Sequence, residues 1–265
     1  MLKYFKKFKS DKIQHGYVDI YSNYLSHLKN RKLKILEIGV ADGKSILSWN
    51  SYFKKSLIIG IDIKKINLQK LKLNKKNIHI HQGSQSDPLF LNKLIKKYKK
   101  FDIIIDDGSH IPKDVKASFN FLFPALKNGG FYFVEDLQTS YIHFFGGNPF
   151  DLSYSNTHVN FFKSLIDRIH FKEIANPFYS LKKYDGEIFS IAFYRNLLVI
   201  NKNNNLRESN LVLKNSYENK RFNEKVKRNP DSKLRYYFKY KILYKFYTLT
   251  LFIINLFKKI ILFRF

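Results

Sequence analysis

From residue 33 onward, short apolar runs alternate with polar stretches in which apolar residues recur at helical spacing. Residues 34–38 (KILEI), 56–63 (SLIIGIDI), 77–81 (NIHIH), 101–106 (FDIIID) and 130–134 (GFYFV) read as five strands. They are almost continuously apolar, the pattern of strands covered on both faces. Between them, residues 44–53, 65–71, 88–98 and 115–126 carry helical periodicity. Such alternation predicts a parallel sheet with helices on both sides. Residues 187–194 (EIFSIAFY) and 197–201 (LLVIN) follow, separated by Arg195-Asn196, and read as an antiparallel hairpin. The expected fold over residues 33–201 is α/β: an open, doubly wound, seven-stranded sheet of five parallel strands plus the hairpin. Residues 13–28 read as one helix inside an N-terminal helical segment, 1–32. Residues 202–235 read as a basic linker, and 236–265 as a basic, apolar, amphipathic C-terminal helix.

Composition narrows the classes. The 265 residues carry 48 Lys+Arg against 21 Asp+Glu, a formal net charge of +27. With 45% hydrophobic residues the chain is too apolar for a disordered basic tail. The absence of Cys excludes a disulfide scaffold, a thiolate zinc site, an iron–sulfur cluster and a cysteine nucleophile. The charge has two readings: attraction to nucleic acid or an anionic membrane, or a solvated surface that has accumulated lysine. Residues 201–265 hold sixteen basic and four acidic residues around the apolar run 246–257 (FYTLTLFIINLF). That run is shorter than the roughly 20 residues of a spanning helix. A basic, aromatic, apolar helix suits the membrane interface; docking on the domain or on a second subunit is the other reading. The first eleven residues lack the apolar centre of a secretory signal. The expected location is therefore the cytoplasm, peripherally on the inner face of the cytoplasmic membrane.

In an open α/β sheet, ligands bind beyond the carboxyl ends of the strands, and polar residues gather there. After the first strand comes Glu37-Ile38-Gly39-Val40-Ala41-Asp42-Gly43-Lys44-Ser45. Its glycines let the backbone turn and approach a ligand, but the spacing is neither the dinucleotide fingerprint nor a P-loop. Asp62 ends the second strand, where an acid accepts hydrogen bonds from ribose hydroxyls or simply caps a turn. The third strand leads into Gln82-Gly83-Ser84-Gln85-Ser86-Asp87. These residues resemble the class I S-adenosylmethionine-dependent methyltransferases, which have a Rossmann-like fold. The resemblance implies that Glu37, Gly39, Gly43 and Ser45 hold the amino-acid part of the cofactor. It likewise implies that Asp62 binds the ribose, and that the loop with Ser84 and Gln85 cradles the adenine.

Further motifs are FDIIIDDGSH at 101–110 and NGGFYFVEDLQTSY at 128–141, then Phe145-Gly146-Gly147, with Asp11-Lys12 and His15-Gly16-Tyr17 upstream. Together they resemble the divalent-metal-dependent sugar O-methyltransferases of the macrocin and mycinamicin type. The fourth and fifth strands are neighbours in this topology, so Asp107 and the Glu135-Asp136 pair end side by side. Three carboxylates with no basic residue between them repel unless something neutralises them. A hard divalent cation with oxygen ligands does so. The lack of Cys and of an HExxH-type pair argues against zinc, and no two-His-one-carboxylate set favours Fe(II) chemistry. The resemblance implies Mg2+ on Asp107, Glu135 and Asp136, with Asp106 as the substitute ligand unless it is buried at its strand end. It implies that His110 takes the proton of the acceptor hydroxyl, a task suited to an imidazole titrating near pH 6.5; a lone His is otherwise a cap or a polar contact. Tyr141 and His143 follow the acids and are candidates for the substrate pocket.

The expected function is S-adenosylmethionine- and divalent-metal-dependent O-methylation of a sugar hydroxyl, on a glycan or glycolipid of the bacterial surface. Homo-oligomers are expected from the resemblance. An RNA methyltransferase is the first alternative. Its base-methylating forms carry an Asn/Asp-Pro-Pro-Tyr/Phe motif where this chain has DDGSH, and an acidic site repels phosphates, so nucleic acid is disfavoured as a partner. A non-catalytic, membrane-associated cofactor-binding protein is the second.

Overall fold

The computed structural model describes residues 1–66, 76–174 and 179–206, with positions 246, 249–251 and 253–254. Most of the helix expected at 65–71, most of the linker at 202–235 and much of the C-terminal apolar run lie outside the described residues. The chain divides into two units, Met1–Ile169 with Lys183–Asn205, and His170–Lys182 with Leu206–Phe265.

The first unit holds a seven-stranded sheet. Its strands are β1 (Lys34–Ile38), β2 (Leu57–Asp62), β3 (Ile78–Gln82), β4 (Phe101–Asp106), β5 (Leu126–Val134), β6 (Ile188–Tyr194) and β7 (Leu197–Lys202). They lie in the order β3-β2-β1-β4-β5-β7-β6. The first five are parallel; β7 runs antiparallel to both β5 and β6. Helices α1 (Leu2–Phe8), α2 (Tyr17–Leu25) and α3 (Lys44–Tyr52) belong to one face, and α4 (Pro88–Tyr98), α5 (Pro112–Leu122) and α6 (His158–Ser164) to the other. A short helix, α7, spans Ile166–Ile169.

Successive strand side chains point to opposite faces, and this parity builds two cores. Ile35, Ile103, Ile105, Phe133 and Val199 pack with Phe5, Tyr21 and Trp49. Leu36, Ile104, Tyr132, Val134 and Ile200 pack with Leu94, Phe119 and Phe162. Phe5 and Tyr21 both meet the Trp49 ring edge-on, at 4.8 and 5.0 Å between centroids, which ties the N-terminal segment to α3. At the start of α4, the Asp87 side chain accepts from Leu89 N and Pro88 occupies the first turn, the favoured chemistry of a helix start.

Several boundaries differ from the expectation. Residues 13–28 are not one helix: Gly16, at φ +74°, separates a 3-10 turn at Asp11–Ile13 from α2, and a second 3-10 turn follows at Ser26–Leu28. Helix α1 falls within the segment 1–32 expected to be helical, although no separate helix was delimited there, because LKYFKKF buries only Phe5. The predicted helix at 115–126 starts earlier, at Pro112, and gives way to a 3-10 turn at Phe123–Ala125. Pro124 cannot donate to the helix ladder, and β5 begins at Leu126, earlier than the expected residue 130. Helices α6 and α7 fall in a stretch for which no element was expected.

Among the described residues of the second unit are a 3-10 turn at Phe171–Glu173 and helical positions around 246–254. Phe246, Leu249, Leu251, Ile253 and Ile254 are exposed there. No helix among the described residues is long and apolar enough to cross a membrane.

Candidate functional site

The carboxyl ends of β1, β2, β3 and β4 frame a cleft of about 480 Å³, lined by Gly39, Asp62, Gly83, Ser84, Gly108 and Ser109 among others. Gly39 sits at φ +85°, and a Cβ there would lie 1.9 Å from the carbonyl oxygen of Asp107. Only glycine lets the β1 and β4 loops approach this closely. Asp62 holds the glycine loop in place: its Oδ2 accepts from the backbone N–H groups of Val40 and Ala41, at 3.0 Å each, and its Oδ1 from Lys64 N at 2.8 Å. A carboxylate has about four acceptor positions, so a ligand hydroxyl has one left. Gly43 is the N-cap of α3, at φ +75°.

Other residues expected at the cofactor have partners of their own, although Ser84 and Gln85 line the first cleft. Glu37 lies beneath the glycine loop, fully buried. It accepts from Ser45 Oγ at 2.9 Å and sits 3.5 Å from Lys12 Nζ. Burial raises its pKa to about 7. Ser45 is thus turned inward, though it also lines a second cleft of about 470 Å³ with Gly39, Asp42 and Lys44. Gln85 is a staple rather than a free donor. Its Nε2 donates to Asp106 Oδ1 at 3.0 Å and to Ser118 Oγ, and its Oε1 accepts from Ser109 N at 2.7 Å. Ser84 accepts from Ser86 N and faces the cleft.

The acids after β4 and β5 converge. Asp107 Oδ1, His110 Nε2 and Asp136 Oδ2 form one half-buried group, with Nε2 3.8 Å from Asp107 and 3.6 Å from Asp136. Glu37, Asp107 and Glu135 form a second, deeper group. Asp106 belongs to neither. Strand parity turns it to the α5 face, where Ser118 and Tyr132 also donate to it and burial lifts its pKa to about 6. Glu135 shares the parity of Phe133 and so faces α2.

The deeper group contains a cation that the sequence reading did not place there. Lys12, 1% exposed, sends its ammonium to Asp107 Oδ2 at 2.5 Å and to Glu135 Oε1 at 2.6 Å. The acids therefore do converge around a basic residue. Tyr21 OH donates to Glu135 at 2.5 Å, and Tyr17 OH to Asp136 Oδ1 at 2.7 Å. Burial works to raise the Asp136 pKa, but the hydrogen bonds from Tyr17 and Gln138, and then the nearby His110 and His15, outweigh it and hold this carboxyl low. Burial, and then the charge of Asp107, push Glu135 upward. Tyr17 and Tyr21 both lie in the stretch 13–28 expected to be one helix. The Asp11-Lys12 and His15-Gly16-Tyr17 motifs were the available signal for Lys12 and Tyr17, while Tyr21 stands outside both.

His110 and Asp136 both adopt left-handed backbone, at φ +58° and +55°, a costly conformation for residues other than glycine that is often found at functional sites. The ring of Phe145 packs against His110 edge-on, and Thr139 Oγ1 donates to the His110 carbonyl at 3.3 Å. Behind them, His158 is buried near Thr139 and its burial lowers its pKa to about 4. Tyr141 and His143 are exposed on the 3-10 turns after Asp136, beside the exposed Ile142 and Phe144. The two carboxylates of the outer group, with no thiolate near them, are oxygen donors that fit a hard divalent cation.

The family described as a methyltransferase domain matches residues 36–137. A Streptomyces olivaceus protein, 8-demethyl-8-(2-methoxy-alpha-L-rhamnosyl)-tetracenomycin-C 3'-O-methyltransferase, is 34% identical over 206 residues, 74% of this chain and 52% of its own length. Mycinamicin VI 2''-O-methyltransferase of Micromonospora griseorubida is 35% identical over 199 residues, covering 72% of this chain and 49% of its own. The MycE methyltransferase from mycinamycin biosynthesis, solved with Mg and SAH, superposes with a TM-score of 0.73 at 32% identity, over 78% of this chain and 55% of that one. The chain thus spans about half the length of these relatives.

Proposed function

Starting from the premise that the chain belongs to the class I S-adenosylmethionine-dependent methyltransferases and resembles the metal-dependent macrocin and mycinamicin type, we propose that it is a sugar O-methyltransferase. One observation carries this reading: His110 Nε2 faces Asp107 and Asp136 at 3.8 and 3.6 Å beside the glycine-lined cleft. This arrangement supports a proton acceptor and an oxygen-donor set for Mg2+ beside the cofactor cleft. When bound, S-adenosylmethionine supplies an activated methyl group, and the divalent cation lowers the pKa of the acceptor hydroxyl.

The protein's share of the work is positional. Gly39 admits the cofactor backbone-close, and Asp62 has an acceptor position left for a ribose hydroxyl. Asp107 and Asp136 would hold the cation, with Glu135 behind them. His110 takes the hydroxyl proton at Nε2, and general-base help of this kind contributes about 100- to 10,000-fold. Holding acceptor and methyl group in line supplies much of the rest. Calorimetry with S-adenosylhomocysteine, with and without Mg2+, tests the assignment. Micromolar binding supports it, and no binding overturns it.

The acceptor we infer is a glycan or glycolipid of the bacterial surface. Exposed apolar side chains beside the acids, at Tyr141, Ile142 and Phe144, would contact a non-sugar portion. The basic, apolar C-terminal stretch supports a peripheral site on the inner face of the cytoplasmic membrane, through anionic lipid.

A further inference from the structure

Lys12 is the feature that the proposed reaction does not use. It lies in the 3-10 turn Asp11–Ile13, yet its side chain is buried, a rare state for lysine outside an ion pair. Glu37 and Glu135 are buried with it, and Asp107 is 25% exposed at its side chain. Three carboxylates gathered in a poorly hydrated space need positive charge nearby to remain ionised together. The Lys12 ammonium lies within 3.5 Å of all three.

The geometry divides each outer acid between two neighbours. Asp107 gives Oδ2 to Lys12, and its Oδ1 is the atom that joins His110 and Asp136 in the outer group. Asp136 gives Oδ1 to Tyr17, and its Oδ2 faces His110. The N-terminal segment thus takes the inner oxygen of each carboxylate and leaves the other turned outward.

We propose that Lys12 is a resident counter-cation and positioning residue: it neutralises the inner acids and aims Asp107 outward, so that the acid cluster folds without a divalent ion. The inference rests on the proposed divalent-cation site. It implies that the protein carries two cations at this locus when loaded, Lys12 on Asp107 Oδ2 and a divalent ion for which Asp107 Oδ1 is left free of Lys12.

The test uses full-length protein and reads melting temperature in EDTA and in millimolar Mg2+. Wild type melts cooperatively in EDTA and gains a few degrees with Mg2+. Lys12→Met keeps the length of the side chain without its charge. It is expected to melt several degrees lower in EDTA, and to gain at least twice the wild-type increment from Mg2+, because the divalent ion must then neutralise the inner acids as well. Lys12→Arg keeps the charge and stays close to wild type in both conditions. Lys12→Met/Glu37→Gln removes one acid together with the cation, and recovers stability in EDTA relative to Lys12→Met alone, even if the single variant is too unstable to purify.

An unchanged melting temperature of Lys12→Met in EDTA would overturn the proposal. So would an equal loss in EDTA and Mg2+, which marks a packing role only. Electron paramagnetic resonance of Mn2+ with wild type separates the two layers: no bound Mn2+ removes the divalent site, while the EDTA comparison still decides whether Lys12 neutralises the cluster.

Discussion

His110 and Asp136 face each other across the carboxyl ends of β4 and β5, 3.6 Å apart, each in left-handed backbone. Two non-glycine residues in this conformation, side by side, cost of order 1–3 kcal/mol each. Asn tolerates left-handed φ better than most residues. His110→Asn therefore keeps the backbone and removes the proton acceptor. Its methyl-transfer rate is expected to fall about 100-fold or more, while calorimetry finds S-adenosylhomocysteine affinity within about threefold of wild type on the order-of-magnitude scale of a structurally silent change. A rate near wild type would remove His110 from the reaction.

Gly39→Ala probes the cleft from the other side. The added Cβ meets the Asp107 carbonyl at 1.9 Å, and φ +85° is strained for alanine. The loops after β1 and β4 must separate, which spoils the cofactor site. Cofactor affinity is expected to drop at least about tenfold, or 1.4 kcal/mol. Unchanged affinity would mean that the cofactor binds elsewhere.

His158 gives a pH signature. Its pKa is lowered from the usual imidazole value to about 4 by burial, so protonation favours the unfolded chain. The stability tied to its neutral form is fully present above pH 6.5 and is lost as pH falls toward 4. The full effect is about 3 kcal/mol. Asp106 and Glu37, with raised pKa values, act in the opposite direction over an overlapping range, so the comparison must be between variants. Denaturant melts of wild type and His158→Gln at pH 4.5 and 7 should show a smaller acid-induced loss in the variant. Equal losses would contradict the assignment.

The basic C-terminal region should bind vesicles containing phosphatidylglycerol and not pure phosphatidylcholine. Each near-surface Lys or Arg contributes roughly 1 kcal/mol, screened by salt. Lys258→Glu/Lys259→Glu should weaken cosedimentation severalfold. Binding that ignores lipid charge and salt would leave the net charge of +27 without a membrane role.

Much of the architecture was legible because the strands are apolar runs and the two-residue hairpin link, Arg195-Asn196, is explicit. The chemistry at strand ends was legible too, since DDGSH and VED stand where a doubly wound sheet brings β4 and β5 together. Parity along β4 and β5 was also available, and it separates Asp106 from Glu135. Lys12 was not legible in this role. Its partners are 95 and 123 residues away, and an isolated lysine beside Asp11 looks solvated. The inward turn of Glu37 and Gln85 was hidden for a similar reason: each is held by a distant hydroxyl, amide or ammonium that only the fold brings near.

The central claim is metal-dependent methylation of a sugar hydroxyl, and methyl-labelled S-adenosylmethionine tests it most directly. Full-length protein is incubated with the labelled cofactor and bacterial glycan or glycolipid extract, once in EDTA and once with Mg2+ restored. The account predicts label on a sugar oxygen in the Mg2+ sample and at least about a 100-fold smaller transfer in EDTA. Transfer undiminished by EDTA, or label appearing on RNA rather than on sugar, would contradict it.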